Sequence, residues 1–335
     1  LPGFIGKTIA NGASEPRPFY IVNNHGFRSL AEEMEFPPRG KVMALGDSFT
    51  QGAYLGQAET IPAVMARKLG SYVYNLGVGA YSTDQEYTAF TQWIDKVDVE
   101  WVVLFFFAND VIFVDQPIGH KFEKPLYRTI NGKLDFSGLM PLPDEFVEEE
   151  NAKVQAKIEM EKTFCCFSEM PEPVVERAML KIRQYLFEAR YPGLLFSTIV
   201  ADIRKTKGKP TPSHLDVTVE LLENPGKYQA QLDMVFQFLA KIKEESLKRE
   251  KKYFVVFIPD FLQLYEPDIP ARSNLRWAFM KSCAENGISC LDPSDELFRN
   301  SKYNDVYFID DGHFSPHGAR IVGEMVAEKI AENRP

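Results

Sequence analysis

The chain has 335 residues, 45% hydrophobic and 25% charged, ordinary globular values that exclude a disordered chain, a collagen-like repeat or a coiled-coil rod. Its 47 acidic residues outnumber 38 basic ones for a net charge of -9, and no Lys/Arg cluster is long enough to track a phosphate backbone, so no nucleic-acid partner is expected. The longest strongly apolar run, 101–108, is far shorter than the roughly 18 residues of a membrane-spanning helix and reads as a buried strand, so no span is expected within the chain.

The first residues, Leu1-Pro2, replace an initiator Met, which suggests that a signal or anchor was removed upstream and that the protein is exported to the periplasm or beyond. Residues 1–40 read as a lead-in. From 41 onward, short runs rich in β-branched and aromatic residues alternate with segments of helical period, the pattern of a parallel sheet with helices on both faces. Strands are predicted at 41–45, 72–76, 101–107, 253–258 and 288–291, each mostly apolar because a parallel strand is buried on both sides. Between the third and fourth lies an insertion, 111–224, which the alternation does not need. It has a loop-like part with Pro117, Pro125, Pro141 and Pro143, then acidic and helical segments, in which Glu148-Glu149-Glu150 reads as a solvated face.

The core resumes over 225–335. Leu232, Val235, Phe236, Leu239 and Ile242, spaced by three and four, form one helix face that should cover the sheet. Ser315-Pro316 marks the start of a last helix, with Ile321, Val322, Met325 and Val326 as its buried stripe. The four cysteines, Cys165, Cys166, Cys283 and Cys290, match no zinc pattern, and buried free thiols are expected. No metal or organic cofactor is implied.

Chemistry concentrates at the predicted strand ends. The first strand runs into Gly46-Asp47-Ser48-Phe49-Thr50, and ligands of such sheets bind beyond the carboxyl ends of the strands. A serine hydroxyl becomes a nucleophile only when a base takes its proton, so a histidine and usually a carboxylate must accompany it. Of the five histidines, His25, His120 and His214 sit in loop-like contexts, whereas His313 follows Asp310 and Asp311 and directly precedes the last helix. His317, in that helix's first turn, is the backup base. Acyl transfer also needs donors aimed at the oxyanion. The third strand ends in Ala108-Asn109-Asp110, and the second in Asn75-Leu76-Gly77-Val78-Gly79-Ala80-Tyr81, a small-residue turn that bares backbone N–H groups. No glycine-rich phosphate loop follows the first strand, which weighs against a nucleotide-binding protein.

In combination these four strand-end signals resemble the SGNH hydrolases, the GDSL-type esterases and lipases. Asn23-Asn24-His25-Gly26-Phe27-Arg28 and Ile258-Pro259 resemble a bacterial subgroup of larger, often exported members. The resemblance implies a flavodoxin-like three-layer α/β/α sandwich with a five-stranded parallel sheet. It also implies Ser48 as nucleophile and first oxyanion N–H, Ala80 (or Gly79) as the second N–H, Asn109 as the side-chain donor, His313 as base, and Asp310 (or Asp311) as the acid that orients it. Two positions depart from the family pattern. Ala80 stands where a glycine is usual, and a backbone donor there survives if φ is negative; Phe107 stands where another glycine is usual, narrowing the acyl side of the site. The implied activity is cleavage of an ester, with a short acyl group such as acetyl on a carbohydrate or small molecule as the expected substrate, through an acyl-serine intermediate and without a cofactor. An acyltransferase would share the first half-reaction, and a non-catalytic binding protein on the same fold is the rival from another class.

Overall fold

The computed structural model of the protein describes residues 5–8, 17–29, 35–116, 118–119, 122–130, 133–139, 214–266, 268–301, 305–308 and 312–332. Two antiparallel strands of the lead-in come first, β1 (Ile5–Thr8) and β2 (Arg17–Ile21). The core then runs β3 (Val42–Gly46), α1 (Ser48–Gln51), α2 (Ile61–Leu69), β4 (Val73–Gly77), α3 (Thr83–Trp93), β5 (Trp101–Phe106) and α4 (Ala108–Phe113). Small antiparallel pairs follow, β6 (Ile118–Gly119) with β7 (Phe122–Glu123) and β8 (Pro125–Ile130) with β9 (Lys133–Leu139). Residues 140–213 lie outside the described residues. The remainder comprises α5 (His214–Glu223), α6 (Gln229–Lys248), β10 (Lys252–Phe257), α7 (Phe261–Tyr265), α8 (Asn274–Glu285), β11 (Cys290–Leu291), α9 (Ser294–Ser301) and α10 (Pro316–Glu332).

The central sheet is parallel throughout, in the order β11-β10-β5-β3-β4. Numbered along the chain its five strands stand 2-1-3-4-5, the flavodoxin-like order, so the order reverses beside β3 and opens a crevice at its carboxyl end. Each strand alternates between two cores. Met43, Leu45, Val102, Leu104 and Phe106 face the layer of α3, α6 and α8, where they meet Phe90, Val235, Leu239, Ile242 and Phe279. Val42, Ala44, Val103, Phe105 and Val256 face α2 and α10, meeting Ile61, Met65, Val322, Val326 and Ile330. Both faces are covered, which is why the strands read as apolar runs. The three-layer sandwich expected from the sequence is therefore the fold, with the first four strands within one residue of their predicted ends.

The predicted stripe of α6 is buried in full. The predicted start of α10 is also observed, with Ser315 Oγ accepting from the N–H groups of His317 (3.2 Å) and Gly318 (3.3 Å). At the lead-in, Asn23 Oδ1 accepts from His25 N and Phe27 N, and Phe27 joins Phe36 and Trp93 in an aromatic cluster over the sheet's edge. Within 111–224, Leu221 and Leu222 of α5 are fully buried in the core of α3 and α6, and Tyr127 of β8 packs edge-on to Phe238. Pro117, His120, Pro141, Pro143, Glu148 to Glu150, Cys165 and Cys166 lie outside the described residues.

One expectation is overturned. Cys283 and Cys290 are not free thiols but a disulfide joining α8 to β11. The turn at Asn286 and Gly287 reverses the chain between them, so seven residues of separation become a Cα distance of 6.3 Å.

Candidate active site

Ser48 is the first residue of α1, set immediately beyond β3. The helix starts there because Asp47 caps it, its Oδ1 accepting from Phe49 N at 2.8 Å. It stops after one turn because Gly52, at φ 81°, folds back to donate to Ser48 O. Glycine lets this turn sit directly on the strand ends: a Cβ at Gly77 would lie 2.4 Å from Gln51 N, and one at Gly46 2.1 Å from Thr50 Oγ1.

His313 Nε2 lies 2.7 Å from Ser48 Oγ. The histidine arrives on the segment before α10, whose backbone is fixed by Phe308 N donating to His313 O and Ser315 N to Val306 O. Its ring is held between aromatic neighbours, Phe49 at 4.9 Å and Tyr54 edge-on at 5.5 Å. Asn109, in the first turn of α4, points its Nδ2 at Asp47 Oδ2, 2.9 Å away. Asp47 thus bridges the two elements, bonding the serine helix with one oxygen and the amide with the other. Burial pushes its carboxyl up to about 6, against the opposing pull of the Phe49 N–H, the nearby His313 and the Asn109 amide.

The second strand end forms a turn in which Tyr81 N donates to Val78 O at 3.1 Å. Ala80 occupies its third position at φ 65°. That differs from the negative φ at which alanine would sit without strain; the turn is of the kind whose third position goes left-handed, where glycine is favoured. The turn runs alongside the serine, since a Cβ on Gly79 would stand 3.9 Å from Ser48 Cβ. Phe107 packs its ring 4.6 Å from that of Phe49 and so fills space beside Ser48.

The structure thus brings Ser48, His313 and Asn109 together at the carboxyl edge, with the turn of Gly79 and Ala80 against them. Asp310 and Asp311 lie outside the described residues. His317 is not brought to the serine: its Nδ1 pairs with Arg320 Nη2 at 3.0 Å. His25 bonds Glu35 at 2.8 Å and stacks on Phe36. Among the described residues no group of three or more His, Cys, Asp and Glu side chains could hold a metal ion.

The sequence reading missed the groups beneath the site. Glu86 and Asp110 are buried carboxyls held well above the carboxylate range, by burial first and then by neighbouring acids, Asp110 by Asp47 and Glu86 by Asp110. Asp110 Oδ2 accepts from Phe107 N at 3.0 Å. Beside them Lys124 and Asp84 form an ion pair at 2.8 Å with both side chains fully buried. Behind α1, the guanidinium of Arg28 donates to Gln57 Oε1 at 2.7 Å and to the carbonyls of Gly52 and Leu55.

No protein-family model matches the chain, and a search of curated proteins finds no match. Solved structures do match, at low identity. A member of the lipolytic protein G-D-S-L family from Veillonella parvula is 10% identical, with a TM-score of 0.41 over 88% of this chain and 99% of that one. The lipase/acylhydrolase from Enterococcus faecalis is 12% identical, TM-score 0.40, over 87% and 95%. A carbohydrate acetylesterase family member from Sinorhizobium meliloti is 11% identical, TM-score 0.36, over 87% and 97%.

Chemically, a serine hydroxyl within hydrogen-bond reach of an imidazole, with amide donors on adjacent strand ends, is equipped to attack a carbonyl and hold the resulting oxyanion.

Proposed function

We propose that the protein is a serine esterase of the SGNH type. The observation that carries this is the 2.7 Å contact between Ser48 Oγ and His313 Nε2, made by residues 265 positions apart that meet where the sheet's order reverses. His313 takes the Ser48 proton as Oγ attacks the ester carbonyl carbon. The oxyanion is held by the N–H groups of Ser48 and of Ala80 (or Gly79) and by the second hydrogen of Asn109 Nδ2, the first being donated to Asp47. As the tetrahedral adduct collapses, the bond to the alcohol breaks and the leaving oxygen takes the proton from His313. Water, deprotonated by the same imidazole, then cleaves the acyl-serine. Asp310 (or Asp311) is the proposed orienting acid.

The proposed substrate carries a short acyl group, such as acetyl on a carbohydrate or small molecule, a reading supported by the Phe107 ring packed against Phe49 beside the serine. An exported location is supported by the Cys283–Cys290 disulfide, a bond that persists in oxidising compartments.

The test is hydrolysis of p-nitrophenyl acetate, butyrate and octanoate by the wild type and Ser48→Ala, with a fluorophosphonate probe reporting covalent labelling. Wild-type turnover that declines with chain length, and that vanishes together with labelling in Ser48→Ala, is expected. Labelling without turnover would favour acyl transfer to a sugar hydroxyl, and neither in folded protein would favour a binding protein.

A further inference from the structure

Lys124 is a charged side chain with no exposure, placed between β7 and β8. A buried ammonium must spend all three of its hydrogens on acceptors, and those acceptors identify what it joins. Its Nζ donates to Ser82 Oγ and to Asp84 Oδ1, each at 2.9 Å, and to the carbonyl of Phe113, and it lies 2.8 Å from Asp84 Oδ2 as an ion pair. Ser82 in turn donates to Asp84 Oδ1 at 2.6 Å.

Ser82 and Asp84 open α3 directly after the turn of Gly79 and Ala80 that runs alongside the serine. Phe113 closes α4, the six-residue helix that carries Asn109 near its start. One ammonium therefore ties together the elements bearing the two oxyanion donors that Ser48 does not supply. The strain at Ala80 adds a reason for such a tie, since a left-handed alanine holds its place only when its surroundings over-determine it.

We propose that Lys124 is a positioning residue of the ester-cleaving site, fixing the spacing between the Ala80 N–H and the Asn109 amide so that both reach one oxyanion. This rests on the serine-esterase reading. It also gives the chain after α4 a task in catalysis: its return to the core at Lys124 locks the oxyanion hole.

The experiment compares kcat and KM for p-nitrophenyl acetate, normalised to sites titrated with a fluorophosphonate, alongside thermal stability. Lys124→Met leaves Asp84 without its partner and is expected to be unstable, so two gentler variants accompany it. Lys124→Met/Asp84→Asn removes both charges, and Ser82→Ala removes only the hydroxyl link. Arg276→Met is the control for loss of an ion pair elsewhere, breaking the 2.5 Å contact to Asp292. The gentler variants should lower kcat, by about 10-fold or more for the uncharged pair, with KM within about twofold, the pattern of a contact felt only in the transition state. Each should lose less than the product of the single effects when combined with Asn109→Ala, because both act on one oxyanion. Arg276→Met should lose stability and keep kcat. A folded uncharged-pair variant with wild-type kcat, or full additivity with Asn109→Ala, overturns the role of Lys124 alone. Absence of Ser48-dependent turnover in the wild type overturns the esterase reading and this inference with it.

Discussion

Asn109 has two amide hydrogens, and Asp47 takes one of them at 2.9 Å. That bond fixes the direction of the other, which is the one an oxyanion would use. Asn109→Ala should therefore lower kcat about 10²-fold while circular dichroism and thermal unfolding stay close to wild type; an unchanged rate would remove Asn109 from the hole. Ala80 poses a different problem. At φ 65° an alanine pays roughly 1 kcal/mol or more in steric strain. Ala80→Gly relieves that strain but loosens the unfolded chain by a similar roughly 0.4–1 kcal/mol, so urea unfolding should show almost no change. Ala63→Gly, inside α2, has no strain to relieve and should cost about 1 kcal/mol. If the two glycine variants destabilise equally, Ala80 is not strained in solution.

Between β3 and α2 the chain makes one α-helical turn, a loop and a single 3-10 turn at Gln57–Glu59, with no long ladder of hydrogen bonds to hold it. Arg28 substitutes for that ladder, its buried guanidinium spanning Gln57, Gly52 and Leu55 and so bracketing Tyr54, whose ring lies against His313. Lysine keeps the charge but lacks the planar fork, so Arg28→Lys should destabilise by roughly 2 kcal/mol or more and lower kcat, as denaturant titration and ester turnover would show. Retention of both would mean that the loop holds itself. The same elements show why some features were legible and others were not. The strands could be read because both faces of 42–46 and 101–106 are buried, leaving an apolar signal that needs no knowledge of neighbours. Ser48, Asn109 and His313 could be read because each stands directly after a strand or before a helix, where chemistry is placed. Arg28, Asp47 and Lys124 act through partners brought close only by closure of the fold: Lys124 meets Asp84 across 40 positions and Asp47 meets Asn109 across 62, and no periodicity records either. The disulfide did leave a trace, since Cys290 lies in the predicted strand 288–291 and Cys283 stands seven residues before it.

Across the whole molecule, the charges that matter most for stability are buried acids. Asp47 and Asp260 are both pushed up to about 6 from 3.8, in each case chiefly by burial. A carboxyl whose pKa is higher folded than unfolded binds its proton more tightly in the native state. Its contribution is therefore fully present below about pH 4, declines as the pH rises, and is gone above about pH 6, a difference of up to about 3 kcal/mol per group. Glu86 and Asp110, also held above their ordinary values chiefly by burial, act in the same direction. Surface acids act in the opposite sense: Asp95 and Glu245, lowered by their bonds to Arg249 and Lys248, weaken the fold only as the pH falls through their own lowered range. Thermal stability at constant ionic strength should accordingly fall between about pH 4 and about pH 6. Asp260 caps α7 through its bond to Leu262 N, a task asparagine performs equally well, so Asp260→Asn should flatten that slope and leave the pH profile of kcat in place. Asp47→Asn should flatten the slope too, but it should also change the kcat profile, because the carboxylate that costs stability is the one that aims Asn109. A stability curve that rises over this window, or one that Asp260→Asn does not alter, would mean that these acids are solvated in the native state.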